Sequence, residues 1–146
     1  MKIFIFTSNK YVNIVADHAL LFNKFCNPLK EVTVLGFDPP TVDYPENYKF
    51  VSMGKQEDFP GKCWSEPIRP FIEDLEENHF SFFWDDMFPI FEVNNELFDE
   101  AVHLVDSGEV EKVHFFFGTR DQYRTSQPYN KSFNQLSQTV EYRSGL

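Results

Sequence analysis

The sequence lacks the short motifs that mark the most common nucleotide-binding and hydrolytic sites. It contains no G-x-G-x-x-G segment after its first apolar run and no G-x-x-x-x-G-K-[ST] segment, so it has neither a dinucleotide-binding fingerprint nor a P-loop. It also has no G-x-S-x-G segment, the nucleophile elbow of α/β-hydrolases. These absences remove the motif support for a Rossmann dehydrogenase, a P-loop NTPase and an α/β-hydrolase.

Basic residues are few, and the charge balance is strongly acidic. Thirteen Lys and Arg residues stand against 23 Asp and Glu residues, which gives a formal net charge of −10 and a pI near 4.7. A nucleic-acid backbone or an anionic membrane surface would repel such a chain. The composition therefore weighs against nucleic acids and membrane surfaces as partners.

Cysteine is scarce, and no apolar run is long. Cys26 and Cys63 show no C-x-x-C spacing, so two reduced thiols in an intracellular protein are favoured over a disulfide between them. The N-terminal stretch MKIFIFTS is too short for the core of a signal peptide or for a bilayer span. We therefore expect a soluble, cytoplasmic protein without a membrane span.

The four histidines are spread along the chain without the spacing of zinc ligands. They are His18, His79, His103 and His114. We expect each of them to be a structural or surface residue.

The chain is long enough for one domain with a substantial core. It has 146 residues, of which 42% are hydrophobic and 18% aromatic, and this composition is typical of a folded globular domain. Continuous apolar runs alternate with helical patterns, which predicts an α/β fold: a three-layer α/β/α sandwich around a mostly parallel, Rossmann-like sheet. The predicted strands are residues 2–7, 31–37, 48–52, 79–84 and 112–117.

Three helices are predicted between these strands. The apolar stripe of the first consists of Tyr11, Val15, Ala19, Phe22 and Cys26, spaced as on one helix face. The second has Ser65 as a candidate N-cap, and Pro70 is expected to delay its start. The third covers residues 95–107 and ends before Gly108.

Two adjacent acids, Asp85 and Asp86, follow the fourth predicted strand in the stretch HFSFFWDDMFP. Adjacent carboxylates repel, and each costs free energy if it loses water without gaining a partner. Either the strand ends there and both groups face solvent, or a cation lies in front of them. Ligands of open α/β sheets bind outside the carboxyl ends of the strands, so the second alternative predicts a divalent cation bound by these oxygens.

The order of these segments resembles the N-terminal half of a GT-A type nucleotide-sugar glycosyltransferase. The resemblance covers about residues 1–118 and depends on the strand order IFIFTSNKY, VTVLGFDPP, FVSMG, WSEPIRPFIEDL and FSFFWDDMF. In that superfamily the first strand leads into a nucleotide-binding loop, and a later strand ends in a short acidic motif that holds a metal against the donor diphosphate. The resemblance thus implies a nucleotide-sugar donor and a Mn²⁺ or Mg²⁺ cofactor.

The resemblance also implies roles for particular residues. It makes Asp86 a metal ligand, and it makes Asp85 either a second metal contact, through a metal-bound water, or a contact to the ribose. Asp38, after the second strand, would lie near the base or the ribose. The other implied donor-binding residues are Thr7, Ser8, Asn9, Tyr11 and Trp64.

Some of these implications have simpler alternatives. Trp64 and Ser65 would line the donor pocket, but a core tryptophan and a helix cap explain them as well. The acidic motif here is D-D-M, with no third acid, so it is a variant of the superfamily's D-x-D.

The resemblance assigns residues 1–118 to a nucleotide-sugar-binding domain and residues 119–146 to a polar C-terminal arm or to the start of an acceptor-binding half that is otherwise missing. We expect the arm either to be mobile or to pair with a second copy in a homo-oligomer. A truncated glycosyltransferase of this kind would at best bind donor and would transfer no sugar. The alternative function is a non-catalytic α/β binding or assembly module with a phenylalanine-rich contact surface.

Overall fold

The fold of the chain is given by a computed structural model, which describes residues 1–26, 30–59, 65–77, 79–113 and 127–135. The chain divides into two compact units, Met1–Asn94 and Asn95–Leu146. The predicted domain boundary at residue 118 lies outside the described residues and stays a prediction.

The first unit is built on a four-stranded parallel sheet, so the α/β class is confirmed. The strands lie in the order β3-β2-β1-β4, and each neighbouring pair is parallel. Each strand begins and ends within one residue of its predicted bounds. They are β1 (Lys2–Phe6), β2 (Val32–Gly36), β3 (Tyr48–Ser52) and β4 (Phe80–Trp84).

Both faces of the sheet are covered by apolar clusters, which explains why the strands are mostly apolar and do not alternate with polar residues. On one face, Ile3 and Ile5 of β1 pack in a cluster with helix α1 (Val15–Phe25). On the other face, Phe4 packs in a cluster that includes Ile68. Successive residues of β1 therefore point to opposite faces, as in any strand.

The helices of the first unit begin later than the apolar pattern indicates. A 3₁₀ turn, Val12–Ile14, precedes α1, and Tyr11 is 43% exposed. The prediction that Tyr11 belongs to the buried stripe is therefore wrong, because the helical face starts one turn further on. Helix α2 is only Arg69–Glu73, with Pro70 in its first turn, and the predicted delay of its start is confirmed.

The second unit contains helix α3 and a short hairpin. Helix α3 is Asn95–Asp106, close to its predicted bounds, and Gly108 follows it with φ +74°, the left-handed conformation of a glycine that ends a helix. Strands β5 (Gln127–Pro128) and β6 (Asn134–Gln135) are antiparallel.

Two predictions fall largely outside the described part of the chain. Of the predicted strand 112–117, the residues 112–113 are not in a strand, and 114–117 lie outside the described residues. Trp64, His114 and most of the polar arm also lie outside them. Among the described helices, none has both the length and the apolar character needed to cross a bilayer.

Gly36, the last residue of β2, lies where a side chain fits only if a neighbouring side chain moves. A Cβ atom there would lie 2.7 Å from Cε2 of Phe50 and 3.1 Å from Cγ2 of Thr7. The Phe50 ring packs against the α1-side cluster, so it has to move if the Cβ is added. A glycine at the end of β2 is therefore required by packing against both neighbouring strands.

Gly36→Ala should lower the free energy of unfolding by about 1–3 kcal/mol, the usual cost of overpacking. Urea denaturation monitored by circular dichroism measures the loss. Phe50→Leu removes the ring that clashes, so the double variant should lose less than the sum of the two single variants. Additive losses would show that the Phe50 ring is not what excludes a side chain.

Candidate functional site

The two adjacent acids lie in a tight turn at the carboxyl end of β4. The backbone N–H of Met87 donates to the carbonyl of Trp84 at 3.1 Å, so Asp85 and Asp86 occupy the two central positions of a β-turn. This turn, residues 84–87, is called the acidic turn below. It places one carboxylate at the sheet and the other outside it: Asp85 is partly buried and Asp86 is exposed.

Asp85 is bonded to the end of the neighbouring strand. The hydroxyl of Thr7, which is fully buried, donates to Oδ2 of Asp85 at 2.7 Å. The strand register explains the pair, because Phe6 lies beside Trp84 and the next residues are Thr7 and Asp85. Backbone N–H groups of Ser8 and of Asp85 itself also favour the charged carboxylate.

The environment of Asp85 raises its pKa above the ordinary value. Burial is the largest cause, and the charge of Asp86 adds to it, whereas the hydrogen bonds from Thr7 and the backbone N–H groups lower the pKa. Burial and the charge of Asp86 thus favour the protonated carboxyl, whereas the hydrogen bonds favour the ionised form. Because the folded pKa is raised, Asp85 opposes folding at neutral pH, and this penalty disappears as the pH falls.

The hydrogen bond between Thr7 and Asp85 joins the ends of β1 and β4, the two strands between which the strand order reverses. From β1 the chain adds β2 and β3 on one side, and β4 lies on the other side of β1. Open α/β sheets bind ligands in the crevice at such a switch point, outside the carboxyl ends of the strands. Thr7, Ser8 and the acidic turn therefore lie where a ligand site is expected on topological grounds.

A second pair of predicted residues is joined across the ends of β1 and β2. The side-chain amide of Asn9 donates to Oδ2 of Asp38 at 2.5 Å, and the backbone N–H of Asp38 donates back to Oδ1 of Asn9 at 2.8 Å. The backbone N–H of Asn9 donates to Oε1 of Gln56 at 2.7 Å. The loops after β1, β2 and β3 are thus connected at one edge of the sheet.

Further contacts in this region involve residues that the sequence did not single out. Asn13 and Thr41 form a reciprocal pair at 3.0 and 2.9 Å, and the hydroxyl of Tyr44 donates to the carbonyl of Val12 at 2.5 Å. Burial raises the pKa of Tyr44 to about 12, and the charge of Asp85 contributes to the rise. Polar residues in loops show no regular spacing in the sequence. The Asn13–Thr41 and Tyr44–Val12 contacts could therefore not be predicted without knowing the fold.

The structure brings some of the predicted site residues together and leaves others apart. Ser8 contacts Asp85 through its backbone N–H, and Asp86 is exposed beside it. Thr7 and Asp85 touch each other, as do Asn9 and Asp38, at the same sheet edge. Tyr11 lies on the surface, where Nζ of Lys10 stands 4.7 Å from the centre of its ring, and its donor-binding role stays a prediction. Trp64 lies outside the described residues, so its role is equally untested.

The acidic turn offers hard oxygen ligands but few of them. Within the described ranges, no group of three or more His, Cys, Asp or Glu side chains is placed to hold a metal ion. Mg²⁺ is commonly bound by one or two carboxylates together with substrate phosphates and water. Exposed Asp86, beside the partly satisfied Asp85, fits that arrangement and does not fit a site made of protein ligands alone.

Comparison of the chain with protein-family models, curated proteins and solved structures gave no match.

Thr7→Val keeps the shape of the side chain and removes the hydroxyl that Asp85 accepts from. It should lower the free energy of unfolding at pH 7 by about 1–3 kcal/mol, the cost of leaving a partly buried polar group without its partner. The loss should shrink as the pH falls, because Asp85 then becomes neutral. Urea denaturation at pH 7 and at a series of lower pH values measures both effects.

Thr41→Val is the matched control, since it removes a hydroxyl from an exposed residue and should cost less than about 0.5 kcal/mol. Equal losses in the two variants, or a Thr7→Val loss that does not depend on pH, would contradict a stabilising bond to the Asp85 carboxylate.

Proposed function

We propose that the chain binds a nucleotide-sugar donor at the carboxyl edge of its sheet, between β1 and β4, as part of a glycosyltransferase of the GT-A type. The proposal includes the three-layer α/β/α arrangement of that superfamily. The observation that supports it best is the Thr7–Asp85 hydrogen bond, which fixes an acidic turn at the topological switch point of a parallel sheet. This is the place where the resemblance requires the acidic motif to be.

In this proposal the two acids have different tasks. Asp86, exposed at the outer position of the turn, would hold Mn²⁺ or Mg²⁺. Asp85 is already held by Thr7 and by the N–H of Ser8, so it would orient the turn and contact a metal-bound water or the ribose. When bound, the metal would neutralise the charge that develops on the leaving diphosphate.

The nucleoside would lie over the loops that follow β1 and β2. The side-chain amide of Asn9 forms two hydrogen bonds with Asp38, one through its NH₂ group and one through its oxygen. These bonds restrain the side-chain rotamers of both residues. A pre-ordered polar pair costs less conformational entropy on binding than two mobile side chains do. Asp38 is exposed, and its carboxylate is suited to accept hydrogen bonds from ribose hydroxyls or from a base.

A second candidate function is a non-catalytic α/β binding or assembly module. It is favoured by the exposed apolar residues Ile90 and Phe91, of which 66% and 77% of the surface is accessible. Exposed apolar side chains next to each other are typical of contact surfaces. Such a module would bind a partner without needing either a nucleotide or a divalent cation.

The test is a thermal-shift titration with uridine and guanosine diphosphates, with and without Mn²⁺. A ligand at one hundred times its dissociation constant should stabilise the fold by about 2.7 kcal/mol. Asp86→Asn should abolish the part of the shift that depends on Mn²⁺, because it removes one negative charge from the exposed position of the turn. Wild type should show the shift only when both components are present.

Asp74→Asn is the matched control, because Asp74 is also exposed but lies at the end of α2. It should respond like wild type. If Asp86→Asn and wild type respond identically to Mn²⁺ with nucleotide, the acidic turn does not bind a metal ion. The second candidate function is then preferred.

A further inference from the structure

His18 is a buried polar side chain in an aromatic setting. It lies on the inner face of α1 and is 0% exposed. Four aromatic rings surround its imidazole, with ring centres 5.8 to 6.5 Å away. They belong to Phe22, Tyr48, Phe83 and Phe88.

Two of these rings flank the acidic turn. Phe83 comes two residues before Asp85, and Phe88 comes two residues after Asp86; their ring centres lie 6.2 and 6.0 Å from that of His18. A single side chain of α1 therefore contacts the chain on both sides of the turn. Moving the turn away from the sheet would separate His18 from at least one of these rings.

We propose that His18 is a positioning residue for the acidic turn and that protonation of its imidazole releases the turn. The release would regulate the donor site by pH, and this consequence depends on the proposed function. The structural part does not depend on it, because it concerns only the contacts of His18 with the residues beside the turn.

The surroundings of His18 favour the neutral imidazole. Burial lowers its pKa from 6.5 to about 4, and the backbone of Met87 only partly offsets this. Nδ1 lies 3.4 Å from the hydroxyl of Tyr48, and Nε2 has no hydrogen-bond partner of good geometry among the described residues. An imidazolium here would thus be a desolvated charge without an ion-pair partner among the described residues.

Few other titratable groups face this cluster. From α1 there is the thiol of Cys26, and from β3 the hydroxyl of Tyr48, both in or against the same cluster. Tyr44 packs on the ring of Tyr48. None of these three carries a charge between pH 4 and pH 7, since burial raises the pKa of each of them. The acidic turn itself contributes the carboxylate of Asp85, whose charge acts on Tyr44. Phe83 and Phe88, from β4 and the segment after it, cannot titrate.

The sign of the effect follows from the lowered pKa. When the turn is released and the ring meets water, its pKa returns towards 6.5. Protons then bind the released form more readily than the ordered form as the pH falls from about 6.5 to about 4. Between pH 7.5 and pH 5 the equilibrium should shift towards release by roughly 30-fold.

Hydrogen exchange of the Met87 amide tests this directly, because that N–H closes the turn on Trp84. After correction for intrinsic exchange, its protection in the full chain should fall roughly 30-fold between pH 7.5 and pH 5. His18→Phe and His18→Gln carry no titrating ring, so the fall should be less than about threefold in either variant that folds. Asp85 is present in all three proteins, and its raised pKa acts in the opposite direction, because protonation of Asp85 favours the ordered form. The difference between wild type and the His18 variants therefore isolates His18.

The amide of Met53, which donates to the carbonyl of Gly36, is the internal control for unfolding of the sheet. If Met87 and Met53 lose protection together, His18 is a core residue and the proposal is wrong. It is equally wrong if Met87 protection does not depend on pH, or falls as much in the His18 variants as in wild type.

Nucleotide binding at two pH values tests whether His18 influences the proposed donor site. At pH 5 His18→Phe should bind Mn²⁺ with uridine or guanosine diphosphate more tightly than wild type does, and at pH 7.5 the two should agree. If wild type binds no nucleotide at either pH, the proposed function fails while the exchange result still decides the role of His18. If both proteins bind equally at pH 5, the turn does not control the site.

Discussion

The partly buried carboxylate of Asp85 constrains the arrangement of the whole first unit. A carboxylate that loses water must gain donors, and Asp85 gains them from the hydroxyl of Thr7 and the N–H of Ser8. Those donors are available only because β1 and β4 are neighbours with Phe6 beside Trp84. A shift of one residue would turn the Thr7 hydroxyl to the other face of the sheet. The same register that fills the two cores therefore also satisfies the charge.

Much of the fold follows from patterns that are local in the sequence. The central strands β1 and β2 are largely apolar and buried, because both faces of a parallel sheet are covered. The edge strand β3 also carries the exposed polar residues Lys49 and Ser52. The end of α3 was predictable because Gly108 adopts a positive φ that other residues avoid. The position of Tyr11 was not predictable in this way. The apolar spacing continues through it, and only the 3₁₀ turn before α1 places it on the surface.

The candidate site was less predictable than the fold, for a physical reason. Asp85 and Asp86 stand out in the sequence by their unusual position, which predicts either solvent or a cation as their partner. The actual partner of Asp85, the Thr7 hydroxyl, is 78 residues away in the chain and has no local signal. The Asn9–Asp38 pair and its contact to Gln56 depend in the same way on three loops meeting at one edge. Contacts of this kind depend on topology, which no local pattern encodes. His18 was expected to be structural or on the surface, and its contact with both sides of the acidic turn is equally a consequence of topology.

The charge at the carboxyl edge of the sheet limits which ligands can bind there. Two carboxylates stand in the acidic turn, and the chain carries a formal net charge of −10. A nucleoside diphosphate brought to this edge would face repulsion that Thr7, with a single neutral hydroxyl, cannot offset. A cation that neutralises part of this charge would therefore favour the binding of a diphosphate at this edge. A neutral partner that docks on the exposed Ile90 and Phe91 side chains needs no such cation. Metal dependence thus separates the two candidate functions on electrostatic grounds alone, whatever the identity of the sugar or the partner.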